Sequence, residues 1–193
     1  ANTFVKDLKI VIDLVKEENS HLPIFILGQG MGGHIMSVLG GQYDNLVDGM
    51  VFCSPLICDF GNYTTCNSDE YDSDFDFVST GNIHNLSHDY DFIQSYDEDE
   101  LVLKEVTVGI YHTLKESCSH IVEYLYKFKY PCLILHGSMD SITDCEDSRF
   151  LFNNIISKDK EIRILKGLYH KLLEELIKDD IISEITRWIE KRI

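Results

Sequence analysis

The sequence predicts an α/β fold in which helices cover both faces of a parallel sheet. Short apolar runs bounded by glycine or proline alternate with longer stretches whose apolar residues recur at helical spacing. Two of the strand-like runs, residues 24–27 and 132–135, are apolar throughout, which is typical of parallel strands buried on both faces. At 193 residues, the chain has the length of one domain.

Four apolar runs are predicted to be strands, and helices fall between them. The strands are residues 24–27, 46–55, 132–135 and 161–165. Helical spacing predicts helices at residues 3–18, 34–39, 101–127, 145–157 and 181–193. Residues 59–100 are acidic and aromatic with no clean period, so they predict an insertion rather than part of the sheet.

Charge and cysteine content exclude several classes of protein. The formal net charge of −16 argues against nucleic acid or an anionic membrane as an electrostatic partner. No apolar run approaches the roughly twenty residues that span a bilayer, and no signal-peptide pattern is present. The six cysteines contain no C-x-x-C motif. We therefore expect free thiols in a reducing compartment such as the cytoplasm.

The most informative motif is a strand, a glycine-rich turn and a helix at residues 22–40, LPIFILGQGMGGHIMSVLG. This arrangement is that of the G-x-S-x-G nucleophile elbow, in which a strained strand-to-helix turn exposes a serine at the end of a sheet. Here Gly30 occupies the serine position. The local pattern predicts a hydrolase scaffold whose attacking atom is absent.

A dinucleotide-binding turn is the competing interpretation of the same glycines. Gly28, Gly30 and Gly33 also satisfy G-x-G-x-x-G. That fingerprint requires an acidic residue near the end of the next strand, whereas Asp48 lies before the apolar run that begins at Gly49, and Cys53 to Pro55 end that run. The elbow is the favoured interpretation.

Two later motifs complete a resemblance to a known family. Residues 131–141, PCLILHGSMDS, resemble a strand ending in H-G-x-x-D, and residues 162–171, IRILKGLYHK, resemble the strand and loop that deliver a triad histidine. Together with the elbow, they resemble the monoacylglycerol lipase and lysophospholipase branch of the α/β-hydrolases. The order of nucleophile position, acid and histidine is that of the fold.

The resemblance implies a role for each site residue. Asp140 would be the acid, His170 the base, and the backbone N–H of Met31 an oxyanion-hole donor. It implies a single-chain acyl ester as substrate and neither cofactor nor metal. It also divides the chain into hydrolase core with the elbow at 1–58, a lid or cap at 59–128 through which peripheral membrane contact could occur, and core with the acid and histidine loops at 129–193.

Gly30 leaves two hypotheses open. Loss of the serine from a comparable triad costs on the order of a millionfold in kcat, or roughly 8 kcal/mol of barrier. Neighbouring candidates for a substitute nucleophile lack the elbow's exposure: Ser37, Cys53, Ser54 and Ser138. The chain is therefore either a serine ester hydrolase that lacks its nucleophile or a pseudoenzyme that binds acyl ligands or proteins.

The number of strands gives a further expectation. The resemblance implies eight strands, with the elbow strand central, but only four apolar runs are visible. A strand such as residues 24–27 is not expected on a bare edge, because exposed apolar edges promote aggregation. We expect an N-terminal half-sheet outside this sequence, which would carry the second oxyanion-hole donor.

Three weaker patterns receive the simpler interpretation or stay open. His84 and His88 lack H-E-x-x-H and are expected to be solvated lid residues rather than zinc ligands. Residues 69–77, DEYDSDFDF, lack the glycine and terminal glutamate of a calcium loop. The apolar stripe between residues 101 and 125 is expected either to face an acyl chain or to pack on the core.

Overall fold

The structure is a computed structural model that describes residues 2–61, 63, 71, 73–80 and 85–193. Its helices are α1 (Asn2–Glu18), α2 (Met31–Gln42), α3 (Tyr90–Glu98), α4 (Val108–Ser119), α5 (Val122–Leu125), α6 (Cys145–Asn154) and α7 (Lys178–Glu190). Its strands are β1 (Phe25–Gly30), β2 (Gly49–Pro55), β3 (Phe77–Ser79), β4 (Glu105–Thr107), β5 (Cys132–Gly137) and β6 (Lys160–Leu165). A short 3₁₀ turn covers Leu172–Glu174.

Four parallel strands form the central sheet in the order β1-β2-β5-β6. All four predicted strands are present, and β1 extends to Gly30 instead of ending at residue 27. Because parallel strands share a direction, the loops after β1, β5 and β6 meet at one edge of the sheet. That edge holds the elbow and both later motifs.

Helices cover both faces of the sheet, as predicted. On one face, Phe52 and Ile134 belong to an apolar core with Val5 of α1 and Leu39 of α2. On the other face, strand residues such as Val51 and Leu133 pack with one side of α7, which buries Ile181, Ile185 and Trp188. Burial on both faces explains why β2 and β5 are apolar along their length.

The elbow strand is an edge strand of the described sheet, so any strand that would cover it, as expected from the sequence, lies outside the described residues. β1 pairs with β2 on one side, and β2 and β5 occupy the centre. Leu27 is 44% exposed, whereas Leu133 of β5 is fully buried. The residues of β1 are therefore more apolar than the partly exposed position of this strand within residues 2–193 requires.

Between β2 and β5, the described residues form a separate group of small elements. β3 and β4 pair antiparallel, and α3, α4 and α5 accompany them. The helix predicted at 101–127 is wrong in its first part, because residues 105–107 form β4 and α4 begins at Val108. Val106 pairs with Val78 across this two-stranded sheet, so the antiparallel partner overrides the helical spacing.

Candidate active site

The elbow places Gly30 in a conformation that suits glycine. Gly30 has φ 51° and ψ −116° and lies between β1 and α2. A residue with a side chain pays a conformational penalty of about 1–3 kcal/mol in such a region. The carbonyl of Gly30 accepts a hydrogen bond of 3.0 Å from the N–H of Leu56, which fixes the turn against the end of β2.

The other two glycines of the motif allow close packing within the protein. A Cβ on Gly28 would lie 2.6 Å from Sδ of Met36, and a Cβ on Gly33 would lie 2.6 Å from Cβ of Pro55. Both glycines therefore bring α2 against β1 and β2. This packing accounts for the spacing without a bound pyrophosphate and favours the elbow interpretation.

His170 faces the elbow. A Cβ built on Gly30 would lie 3.4 Å from Nε2 of His170 and 3.6 Å from its Cε1. A hydroxyl on that Cβ would fall within reach of the ring nitrogen, since productive nucleophile–base contacts span about 2.6–3.2 Å. The imidazole is buried, with 9% of its side chain exposed.

Asp140 and His170, which stand thirty positions apart in the sequence, are in contact. Nδ1 of His170 lies 2.8 Å from Oδ2 of Asp140. The other oxygen, Oδ1, accepts hydrogen bonds from the N–H groups of Ile142 at 2.8 Å and Thr143 at 3.0 Å. The hydroxyl of Thr143 adds a 2.9 Å hydrogen bond to Oδ2. The carboxylate is thus fixed on both of its oxygens.

These contacts keep Asp140 ionised. Burial by itself would raise the pKa of Asp140, but hydrogen bonds from His136 and His170 outweigh burial and hold that pKa well below its usual range. An ionised carboxylate at Nδ1 fixes the orientation of the His170 ring and stabilises its protonated form. The pair therefore has the arrangement that a general base requires.

His136, at the end of β5, is a third donor to the acid. Its Nε2 lies 3.1 Å from the carbonyl oxygen of Thr143 and 3.3 Å from Oδ2 of Asp140. Because both partners accept hydrogen bonds, Nε2 carries the proton and Nδ1 accepts from the hydroxyl of Ser148 at 2.7 Å. The motif H-G-x-x-D thus supplies the acid together with a buried histidine that supports it.

The loop that carries His170 is fastened by a buried glutamate. Glu175, which is 1% exposed, accepts hydrogen bonds from the N–H of Tyr169 at 2.8 Å and from the N–H of His88 at 3.1 Å. Nδ1 of His88 lies 3.0 Å from the same carboxylate, and its ring stacks on Tyr169 at 3.9 Å between centroids. The side chain of His88 is still 37% exposed, so this histidine is partly solvated, as expected, and also fastens the loop through Glu175.

An apolar cavity of about 230 Å³ opens in front of Gly30 and His170. Its wall includes Met31, Leu56, Ile110, Tyr111 and Leu114. The apolar stripe of residues 101–125 is thus divided between the cavity and the core. Ile110 and Leu114 line the cavity, whereas residues further along the stripe, Ile121 and Leu125, are fully buried in the core.

The structure places none of the alternative nucleophiles in this cavity. Ser37 is buried and donates to the carbonyl of Gly33 at 2.9 Å, inside α2. Cys53 is fully buried, and burial raises the pKa of its thiol to about 12. Ser54 is buried as well, and Oγ of Ser138 accepts a hydrogen bond from the N–H of Gly167.

The remaining sequence patterns yield no second centre in the described part of the chain. No cluster of three or more His, Cys, Asp or Glu in those residues is arranged to hold a metal ion. His84 and most of the acidic part of residues 69–77 lie outside the described residues. Asp74 is described, and its carboxylate lies 2.6 Å from Nδ1 of His112.

Three supporting residues were missed by sequence reasoning: His136, Thr143 and Glu175. His136 and Thr143 flank the candidate acid closely in sequence, so the spacing within H-G-x-x-D-x-x-T offers a local signal. The sequence gives no local signal for the contact of Glu175 with His88, because these two residues lie 87 positions apart. His34 was missed for the same reason: its Nε2 lies 2.6 Å from Oγ of Ser117 on α4, and burial lowers the pKa of its imidazole to about 4.

Comparison with known proteins agrees with this geometry. Residues 1–177 match the model of a family described as serine aminopeptidase, S33. The monoglyceride lipase of Homo sapiens is 28% identical over 202 residues, which cover 99% of this chain and 66% of that protein. The monoacylglycerol lipase of Mycolicibacterium smegmatis is 23% identical and is matched over 69% of its length.

Solved structures show the same fold. The monoacylglycerol lipase of Paleococcus ferrophilus superposes with a TM-score of 0.81 at 24% identity, covering 98% of this chain and 76% of that one. A soluble variant of the Saccharomyces cerevisiae monoglyceride lipase, solved with a substrate analogue, gives 0.84 at 20% identity, covering 97% and 68%.

The chain spans 66% of the length of the mammalian relatives it matches. No helix in the described residues is long and apolar enough to cross a membrane. The family model covers residues 1–177 of the chain. The related sequences and the related solved structures agree with that match. The chain belongs to the family described as serine aminopeptidase, S33, and it has the α/β-hydrolase fold.

Proposed function

We propose that this chain carries the acyl-ester site of a lipase of the monoacylglycerol lipase and lysophospholipase type, in a form that Gly30 leaves without a nucleophile. The observation that carries the proposal is the position of His170, whose Nε2 lies 3.4 Å from the place of a Cβ on Gly30. Asp140 and His170 would act as acid and base, and the N–H of Met31 as an oxyanion donor. No cofactor or metal takes part.

The cavity favours an acyl substrate over a peptide. Recognition of a peptide's free amino terminus calls for an acidic group, and the described lining of the cavity contains no aspartate or glutamate. Its wall is formed largely by aliphatic and tyrosine side chains. An apolar cavity with a few polar groups at one end suits a single hydrocarbon chain ending in an ester.

With a serine at position 30, the steps would follow from the geometry. Nε2 of His170 would take the hydroxyl proton as Oγ attacks the ester carbonyl, and Asp140 would stabilise the imidazolium. The backbone N–H of Met31 would stabilise the developing oxyanion. His170 would then return the proton to the departing alcohol. With glycine, the first bond cannot form.

Residues 59–128 are the part we assign to the cap of this site. They supply Ile110, Tyr111 and Leu114 to the cavity, while the core segments 1–58 and 129–193 supply the elbow and the acid and histidine loops. Exposed apolar residues such as Phe75, Phe77 and Leu101 lie on this segment. They offer a surface for peripheral contact with lipid aggregates.

The test is the Gly30→Ser substitution in the full-length protein. The glycine form should show no esterase activity above background, and the serine form should hydrolyse a monoacylglycerol or a lysophospholipid at least a thousandfold faster. The strained φ at position 30 should lower the stability of the serine form by about 1–3 kcal/mol. Turnover by the unaltered protein would show that the nucleophile lies elsewhere.

An inert serine form together with retained acyl binding would favour the second candidate function, a pseudoenzyme that binds an acyl ligand. The specific observation behind that candidate is Gly30 itself, which relieves the strain of the elbow while the acid, the histidine and the cavity remain formed. A matched variant, Gly32→Ala, controls for changes in the elbow helix, because a Cβ there meets nothing within 4 Å.

A further inference from the structure

The replacement of a serine by glycine changes what His170 faces. Nδ1 of His170 is held by Asp140, whereas Nε2 lines the cavity and makes no hydrogen bond within the described part of the chain. The ring is nevertheless buried, with 9% of its side chain exposed. Nε2 therefore offers its hydrogen-bonding capacity to a ligand in the cavity.

The protonation state of that nitrogen follows from its neighbour. Asp140 is ionised and accepts from Nδ1, so the neutral ring carries its proton on Nδ1 and offers a bare lone pair at Nε2. In a serine enzyme, the hydroxyl would donate to that lone pair. Here a ligand in the cavity can take the place of that hydroxyl, either by donating to Nε2 or by binding as an anion when Nε2 is protonated.

A second group with unused hydrogen-bonding capacity lies beside it. Met31 is the first residue of α2, so its N–H has no carbonyl partner within the helix. The helix N-terminus favours a negative charge. Among the described residues that line the cavity, His170 is the sole basic side chain and no acidic one is present.

We propose that the glycine form of this site binds free carboxylic acids with a hydrocarbon tail. The ligand enters as a carboxylate, Nε2 of His170 takes up a proton from solution, the carboxylate accepts hydrogen bonds from Nε2–H and from the N–H of Met31, and the tail lies in the apolar cavity. The inference rests on the proposed acyl site and adds the class of ligand. The charges would be those of the acyl-transfer intermediate, an imidazolium beside an anion.

The charged groups around His170 allow this transfer. Asp140 faces its Nδ1 from the loop after β5 and stays ionised. Nε2 of His136 lies 3.3 Å from Oδ2 of Asp140, the same oxygen that contacts Nδ1 of His170. On its own loop, Lys171 points to the ring of Tyr96 and Glu175 is occupied by Tyr169 and His88. The proton taken up on binding is therefore assigned to His170.

The experiment compares an acid with its methyl ester in the full-length glycine protein. Isothermal titration calorimetry with octanoate, oleate and methyl oleate measures affinity, and repeating the oleate titration in buffers of different ionisation enthalpy counts the protons taken up. Oleate should bind at least tenfold more tightly than methyl oleate, with uptake of up to one proton for each oleate bound, because a carboxylate beside Nε2 favours the charged form of the ring.

Two variants assign the effect to His170. His170→Gln keeps a polar side chain but cannot take up a proton, and His170→Phe removes the polar group. Both should bind oleate and methyl oleate equally, without proton uptake. Equal affinities in the unaltered protein, or proton uptake that persists in His170→Gln, would overturn the proposal.

These experiments distinguish a failure of the acid-binding proposal from a failure of the proposed lipase function. If oleate shows no preference but Gly30→Ser hydrolyses monoacylglycerols, the lipase assignment stands and the acid-binding inference fails. If neither lipid binds and the serine form is inert, both fail. Gly30→Ser should itself weaken oleate binding at least fivefold, because the hydroxyl satisfies Nε2 and fills the space of the carboxylate.

Discussion

The two halves of the candidate site differ in what they retain. The acid–histidine half has a full set of polar contacts, with both oxygens of Asp140 and the carboxylate of Glu175 engaged. The elbow half has the backbone geometry, with Gly30 at φ 51°, but no side chain to use it. Buried polar networks are costly when one member is lost, whereas a serine-to-glycine change removes an atom and relieves strain.

The difference teaches that a catalytic half-site can persist for structural reasons. His136, Thr143 and Asp140 are buried together, so each serves the stability of the fold apart from any reaction. Position 30 carries no such constraint. The predictions below are ways of separating structural from catalytic roles in the two halves.

Asp140→Asn tests the acid in both backgrounds. In the Gly30→Ser protein it should lower kcat on the order of ten-thousandfold, because the amide favours the wrong tautomer of His170. In the glycine protein it should still cost about 2–3 kcal/mol of unfolding free energy, since a charge-assisted network is lost. Ester hydrolysis and urea titration measure the two effects; no loss of stability would contradict a structural role.

Gly137→Ala tests how closely β5 approaches the histidine loop. The added Cβ would lie 2.3 Å from the carbonyl oxygen of Tyr169 and 2.4 Å from that of Leu168, so the loop has to move. We expect a loss of about 1–3 kcal/mol in stability and roughly a hundredfold in the activity of the serine form.

Gly32→Ala, in the elbow half, is the matched control for that substitution. It meets no heavy atom within 4 Å and lies in α2, so it should be neutral or stabilising by up to about 1 kcal/mol. Thermal unfolding of the two variants side by side gives the comparison. Equal melting temperatures would show that the histidine loop is not constrained by β5.

Asp147→Asn tests a buried carboxylate next to the acid–histidine network. Oδ1 of Asp147 accepts from the N–H of Cys58 at 2.5 Å, Oδ2 has no hydrogen-bond partner, and burial raises the pKa of the carboxyl to about 6. A folded-state pKa above the unfolded value gives stability that is present at low pH and lost as pH rises through about 6.

Relative to the unaltered protein, the asparagine variant should therefore gain stability as the pH rises from about 4 to about 6. Above about pH 6, the difference in unfolding free energy between the two proteins should stay constant. The expected gain is about 3 kcal/mol, given 1.36 kcal/mol per pKa unit. Urea titrations at several pH values measure it. A difference that does not change with pH would contradict the raised pKa.

Glu175→Gln has the smallest expected effect. The amide keeps the size of the side chain but loses the charge that engages Tyr169 and His88. We expect a loss of about 1–2 kcal/mol in stability and a reduced kcat with little change in KM in the serine form. Glu174→Gln, at the neighbouring, partly exposed carboxylate, should leave both unchanged. Equal effects of the two substitutions would remove the special role of Glu175.

The sequence alone determined the order of the main strands and helices. It also showed that residue 30, at the serine position of the elbow pattern, has no side chain that could act as a nucleophile. Local sequence was enough to recognise the strands at 132–135 and 161–165 and the motifs around Asp140 and His170. Burial in the sheet and tight turns impose particular residue types on such short stretches. It also predicted that Asp140 and His170 share a site, since parallel strands deliver their following loops to one edge. Its helix at 101–107 was wrong because strand pairing outweighed spacing.

Only the tertiary structure decided which contacts join distant segments. It placed β1 at an edge of the described sheet, brought His88 onto Glu175, and divided one apolar stripe between the cavity and the core. No periodicity records such contacts, because they depend on how elements pack and not on the pattern within any one of them. The unpartnered Nε2 of His170 is of this kind: it arises where the histidine loop meets a turn 140 residues earlier in the chain.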